Sequence, residues 1–139
     1  MHHIFKLKQY LLYLLKAQNQ FMVHSPFVFS FYNHINKRTN LKKSSKTEQI
    51  IRNIFNFSKD FAVYKMDITA DISNIIHIIQ KPYTIVIIKD IHSTKTNFKV
   101  WEKLKNIEVH FISIDFFSLG VLVNNPKIKK KQHYILNRK

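Results

Sequence analysis

Three side chains in the second half of the chain have the types and spacing for acid–base or metal chemistry: Asp67, Asp90 and His92. Asp90 and His92 are two residues apart, which puts them on one side of extended backbone. Each aspartate also follows an apolar run that reads as a strand. Both therefore belong to the carboxyl edge of a sheet, where α/β folds bind ligands. A hard divalent cation would accept the two carboxylates, and His92 could serve as a general base. The plainer reading is an ordinary strand end and loop, with Asp90 in water. A second candidate is His24-Ser25-Pro26, a hydroxyl beside an imidazole. Adjacent residues rarely present their side chains to one reacting atom, and no third group orients the histidine, so this corner reads as structural. The eight histidines show no metal-ligand spacing, and the absence of cysteine excludes disulfides and thiolate metal sites.

The elements that must position these residues follow from periodicity. Residues 4–22 read as an amphipathic helix: Leu7, Leu11, Leu14 and Leu15, with Tyr10 alongside, form the apolar stripe, while Lys6, Lys8, Lys16 and Gln18 face water. Ser25 suits a helix N-cap and Pro26 the first helical position. The next helix then carries Phe27, Phe31 and Ile35 on one face. Asn36 to Lys46 reads as a basic linker, and Ser45 with Glu48 has capping-box spacing. That box launches a helix over about 47–57 with Ile50, Ile51, Ile54 and Phe55 inward. Strands are expected at Phe61–Met66, Thr84–Ile88, Glu108–Asp115, Leu119–Val123 and His133–Leu136. Helices are expected at 71–80, capped by Asp71, and at 95–106, with Phe98 and Trp101 inward. Thr84–Ile88 (TIVII) is apolar throughout, as in a strand buried on both faces. The order implies an α/β sheet with crossover helices, in which the two strands close in sequence, 108–115 and 119–123, form an antiparallel pair.

Composition bounds the function. A chain of 139 residues suits one compact unit, here parsed as a helical extension (1–38), a basic linker and helix (39–60) and an α/β part (61–139). The apolar run Tyr10–Leu15 has six residues, where a bilayer span needs about 20, and no small-residue cleavage site follows it. A soluble cytoplasmic protein is expected. The net charge of +15 would attract nucleic acid or anionic lipid. Of the 23 cations, however, only Arg38, Arg52 and Arg138 are arginines, and the abundance of Lys, Ile, Asn, Phe and Tyr also fits an AT-rich genome. Glycine is the decisive count. Gly120 is the single one, so no glycine-rich loop exists to cradle a phosphate or an adenosyl group.

Two blocks carry a resemblance. VHSPFVFSFYNHI, after a helix ending near LLKAQNQ, is similar to the N-terminal extension of a family of bacterial class I S-adenosylmethionine-dependent methyltransferases of the O-methyltransferase type. TIVIIKDIHSTKTNFKVWEKLKN, VHFISIDFFSLGVLV and KKKQHYIL resemble that family's closing part. The resemblance covers about two thirds of the chain. It implies a partial Rossmann-like sheet of parallel strands with a C-terminal antiparallel pair, preceded by N-terminal helices. Family members are considerably longer. The half-sheet with the glycine-rich loop and the ribose-binding acid would fall between the two blocks, where Thr39–Asp60 has neither. In metal-dependent relatives, acids at the positions of Asp67 and of Lys89-Asp90 hold a divalent cation, and Lys89 would repel that ion. The implied function is a shortened methyltransferase-like protein with weak or no methyl transfer of its own, its S-adenosylmethionine bound by intact relatives and not by this chain alone. Two alternatives stand beside it. One is a basic module making salt-dependent contacts with nucleic acid or an acidic partner. The other is a protein that dimerises, or binds a partner, through the exposed Phe27/Phe31/Ile35 face or a sheet edge.

Overall fold

The computed structural model describes residues 2–17, 25–36, 45–69, 72–107, 111–128 and 131–136. Three helices, α1 (His2–Lys16), α2 (Pro26–Ile35) and α3 (Lys46–Phe55), precede an alternating part. That part runs β1 (Ala62–Met66), α4 (Ile72–Ile79), β2 (Thr84–Lys89), α5 (Lys95–Lys105), β3 (Ile112–Asp115), β4 (Leu119–Asn124) and β5 (Gln132–Ile135). The caps are local chemistry. The Ser25, Ser45 and Thr94 hydroxyls accept the amides of Val28, Glu48 and Asn97, satisfying first-turn donors that have no intrahelical partner. The expected cap Asp71, residues 18–22 of the expected first helix, His24, residues 108–110 and, of the two basic stretches, residues 37–44 and 129–130 lie outside the described residues.

The five strands form one mixed sheet in the order β1-β2-β4-β3-β5. β1 and β2 are parallel, as are β3 and β5, while β4 is antiparallel to both β2 and β3. Four strands thus run one way, and β4 alone is reversed between them. Strand alternation sends Ile85, Ile87, Ile112, Ile114, Val121 and Val123 to one face, where they pack with Phe31, Ile35, Ile50 and Ile54 of α2 and α3. Val86, Ile88 and Leu122 point to the other face and meet Ile75, Ile79, Trp101 and Leu104 of α4 and α5. The result is helix layers on both faces of a buried sheet, and the apolar run of β2 is the sequence mark of that double covering. No helix among the described residues is long and apolar enough to cross a membrane.

Several expectations are corrected. The Phe27/Phe31/Ile35 face is not an exposed docking surface: Phe31 and Ile35 are buried on the sheet, and Phe27 packs against the rings of Phe31, Phe57 and Phe61. Phe55 points outward, and α3 instead buries Asn53, whose Nδ2 donates to the Ile35 carbonyl at 2.9 Å. The larger reversal is α1. Its leucine stripe faces solvent, with Ile4, Leu7, Leu11, Leu14 and Leu15 at 48–82% exposure. The helix docks through the opposite face, where Gln9 and Tyr13 are buried, Tyr13 donates its hydroxyl to the Leu136 carbonyl and Phe5 meets Phe98 edge-on. Polar partners supplied by distant segments outweigh the apolar periodicity of the helix itself.

Gly120 sits in β4 beneath α5. A Cβ built there would lie 2.6 Å from two ring atoms of Trp101, inside van der Waals contact. The glycine is needed for close packing, since its φ is not positive. Gly120→Ala should therefore destabilise the fold by about 1–3 kcal/mol through overpacking, read as a lower urea midpoint. Trp101→Phe in the same chain should recover part of that loss, because the two positions share one contact. Unchanged stability of the single variant would show that the indole has room to move.

Candidate functional site

Because β1, β2 and β3 run the same way, their carboxyl ends lie on one edge of the sheet, and each ends in or next to an aspartate: Asp67, Asp90 and Asp115. This edge carries three adjoining cavities. The first, of about 450 Å3, lies beyond β1 and β2 and is lined by Lys65, Asp67, Thr69, Lys89, Asp90 and Asn97. The second, of about 200 Å3, is shared by Lys6, Asp90, His92, Ser93, Phe117 and Ser118. The third, of about 180 Å3, lies beneath α1, with His92, Asp115, Gln9 and Tyr13 among its walls. Asp67 and Asp90 thus share one cavity, and Asp90 and His92 another. None of these three cavities holds all three residues.

Asp67 is exposed, and its Oδ1 accepts both the amide (2.9 Å) and the hydroxyl (2.8 Å) of Thr69. Those bonds hold its carboxyl below the usual carboxylate range, the backbone bond contributing most. Asp90 adopts a left-handed backbone with φ 61°. That conformation is unusual for a side-chain-bearing residue, and three hydrogen bonds fix it. Its amide donates to the Ser118 carbonyl at 2.8 Å, and its carbonyl accepts from Ser93 N at 3.2 Å and Asn97 Nδ2 at 3.0 Å. The turn breaks the extended geometry that would have put Asp90 and His92 on one side. Asp90 stays in water, whereas His92 is buried.

His92 is held on every side. Nε2 donates to Asp115 Oδ2 at 2.6 Å, and Nδ1 lies 2.8 Å from Gln9 Oε1. Either orientation of the Gln9 amide satisfies Nδ1: its oxygen accepts from a protonated ring, and its NH2 donates to a neutral one. Phe117 stacks on the imidazole at 5.1 Å and 10°, and Phe98 lies at 5.3 Å and 30°. Asp115 also accepts the Phe117 amide through Oδ1 at 2.8 Å. Phe117 itself has φ 70°, a costly conformation for a bulky residue. The arrangement can orient an imidazole, as an aspartate does in a catalytic pair. A base, however, needs a nitrogen open to substrate, and Gln9 occupies the second one. As built, the trio fastens α1 to the sheet edge.

Sequence reasoning missed Asp115 and Gln9 as site residues. Asp115 had a usable signal, a strand-terminal acid on the same edge as the other two. Gln9 had none, because it lies on the face of α1 that periodicity assigns to solvent.

A further polar cluster lies toward β5. Ser113 Oγ and His133 Nδ1 form a hydrogen bond between directly paired residues of β3 and β5, and Lys131 donates to the Ile107 carbonyl. Desolvation, then the neighbouring Lys105 and Lys131, push His133 below the ordinary histidine value, with Glu102 opposing. Among the described residues no group of three or more His, Cys, Asp and Glu could hold a metal ion.

Comparison with protein families, with characterised proteins and with solved structures returns no match to this chain.

Two outcomes follow. Asp115→Ala leaves a buried imidazole nitrogen and the Phe117 amide without their acceptor. It should cost about 1–3 kcal/mol in urea unfolding and speed amide exchange in α1, and unchanged exchange there would mean that α1 is held elsewhere. For His133, whose folded value is depressed, the linked stability is present above about pH 6.5 and lost as pH falls through the lowered value. Wild type should lose more stability than His133→Gln across that window; equal losses would exclude the linkage.

Proposed function

We propose that this chain is a shortened class I methyltransferase-like domain whose own transfer of a methyl group from S-adenosylmethionine is weak or absent. The observation that carries the second half of the reading is the use made of its one glycine. Gly120, the second residue of β4, is buried against Trp101, and every turn at the carboxyl edge is built from residues with side chains. An adenosyl or phosphate group lying close along backbone needs glycine at the turn. The residues present do not fit that cofactor.

They do not fit a resident divalent cation either. Such a cation takes about six or more oxygen ligands. Asp67 and Asp90 share their cavity with the ammonium-bearing Lys65 and Lys89, and Asp67 Oδ1 is already engaged by Thr69. Two lysines beside two acids make a roughly neutral cleft that offers a cation no net attraction.

The family half of the reading is supported by the placement of the resembling segments. The Lys-Asp-Ile-His segment leaves β2 at the carboxyl edge, α5 carries the tryptophan, and Ile-Asp-Phe-Phe ends β3. Gly-Val-Leu-Val forms β4, which pairs antiparallel with β3. In an intact member, methyl transfer would be catalysed mainly by positioning sulfonium and acceptor in line. The half of the sheet that would hold the sulfonium has no counterpart in the sequence of this chain.

Isothermal titration of the purified chain with S-adenosylmethionine should give no saturable heat. Micromolar binding would overturn the proposal that the domain lacks a cofactor site of its own.

A further inference from the structure

We propose that the outward face of α1 docks onto an anionic lipid surface, with the helix lying in the plane of the interface. Its apolar stripe lines none of the three carboxyl-edge cavities, and the proposal does not depend on the methyltransferase reading. α1 is fastened to the body through Phe5, Gln9 and Tyr13 on one side, which fixes what the other side presents. That side is a continuous run at helical spacing: Ile4, Leu7, Leu11, Leu14 and Leu15, all well exposed. Apolar side chains scattered over a surface need no explanation, but a contiguous stripe of five marks an interaction site. Tyr10, at the edge of the stripe and 36% exposed, has the amphipathic ring that suits a boundary between apolar and wet surroundings.

Charge chooses the occupant. α1 contains no acidic residue; Lys8 is exposed beside the stripe, and Lys6 and Lys16 are exposed on the flanks of the helix, where they also border the cavities at its docked side. The neighbouring α5, which meets α1 through the Phe5–Phe98 contact, adds exposed Lys95, Lys99 and Lys103. The whole chain carries +15. A second copy would set these cations against their own kind, with no acid on either α1 to pair with them. The seam Ile4-Leu7-Leu11-Leu14 also spans only two heptads, short of the three or four that a coiled coil sustains. An anionic bilayer answers both features: leucines enter the acyl boundary, lysine stems lie along it, and the ammonium groups reach the headgroups. The helix is about 22 Å long, too short to span and sufficient to lie flat.

The test is co-sedimentation of the full chain with neutral phosphatidylcholine vesicles and with vesicles that also contain phosphatidylglycerol. Binding to the anionic vesicles should be stronger by about tenfold or more and should weaken with added salt. Leu7→Gln with Leu11→Gln should reduce it by about tenfold or more. Both leucines are exposed, so this variant keeps its fold, checked by near-ultraviolet circular dichroism from the buried Trp101. Three results would overturn the proposal: no binding to anionic vesicles, equal binding to neutral ones, or undiminished binding by the double variant. A wild-type dimer in sedimentation that the same two changes dissociate would also overturn it, by assigning the face to a second copy.

Discussion

Reversed strand β4 holds the two layers of the fold in register. It is bonded along its length to β2 on one side and to β3 on the other, and its alternating side chains enter both cores. Leu119, Val121 and Val123 meet the α2 and α3 layer, while Leu122 faces the α4 and α5 layer. Gly120 admits Trp101 on that second side. The chain can reverse only in the short turn after Asp115. There the Phe116 amide donates to the Leu119 carbonyl at 2.9 Å, and the Ser118 carbonyl receives the Asp90 amide. The turn that makes β4 possible therefore also stitches the ends of β2 and β3 together. The left-handed conformations of Asp90 and Phe117 are the local cost of that stitch, and both are held by hydrogen bonds that the turn itself supplies.

The buried polar trio beneath α1 depends on the same turn. Phe117 can lie flat on His92 because its backbone is turned left-handed, and Asp115 can hold both His92 and the Phe117 amide because it ends its strand there. A buried polar network is stabilising only when its members are satisfied, and here each imidazole nitrogen has its partner. The carboxyl edge is thus occupied by structure at one end, around His92. At the other end, between Asp67 and Asp90, it is open and charge-balanced.

Much of this was legible in the sequence, and the illegible part has a common cause. Strands and helices announced themselves through local periodicity, and Ser25 and Ser45 through cap chemistry, because those signals act over a few residues. The unbroken apolar run of β2 likewise told of a strand covered on both sides. The orientation of α1 was read in reverse. Its apolar stripe is strong, but the bonds that dock it reach from Gln9 to His92 and from Tyr13 to Leu136, partners 83 and 123 residues away. Asp90 and His92 were separated by one left-handed residue, which no spacing rule registers. Asp67 and Asp90 were correctly placed on one edge, since strand direction alone decides that.

Trp101 is the only tryptophan in the chain, fully buried, and its indole N–H has no hydrogen-bond partner among the described residues. Its ring rests on the central strand at Gly120. The protein therefore carries a natural optical reporter at the point where β4 meets α5. Its emission in the folded chain should be that of an indole in a dry, apolar site, and it should shift to the red only when that contact opens. Loosening of α1, which meets α5 at Phe98, would leave the Trp101–Gly120 contact closed and the signal little changed. A spectrum taken through unfolding would thus distinguish the peeling of the first helix from the loss of the core.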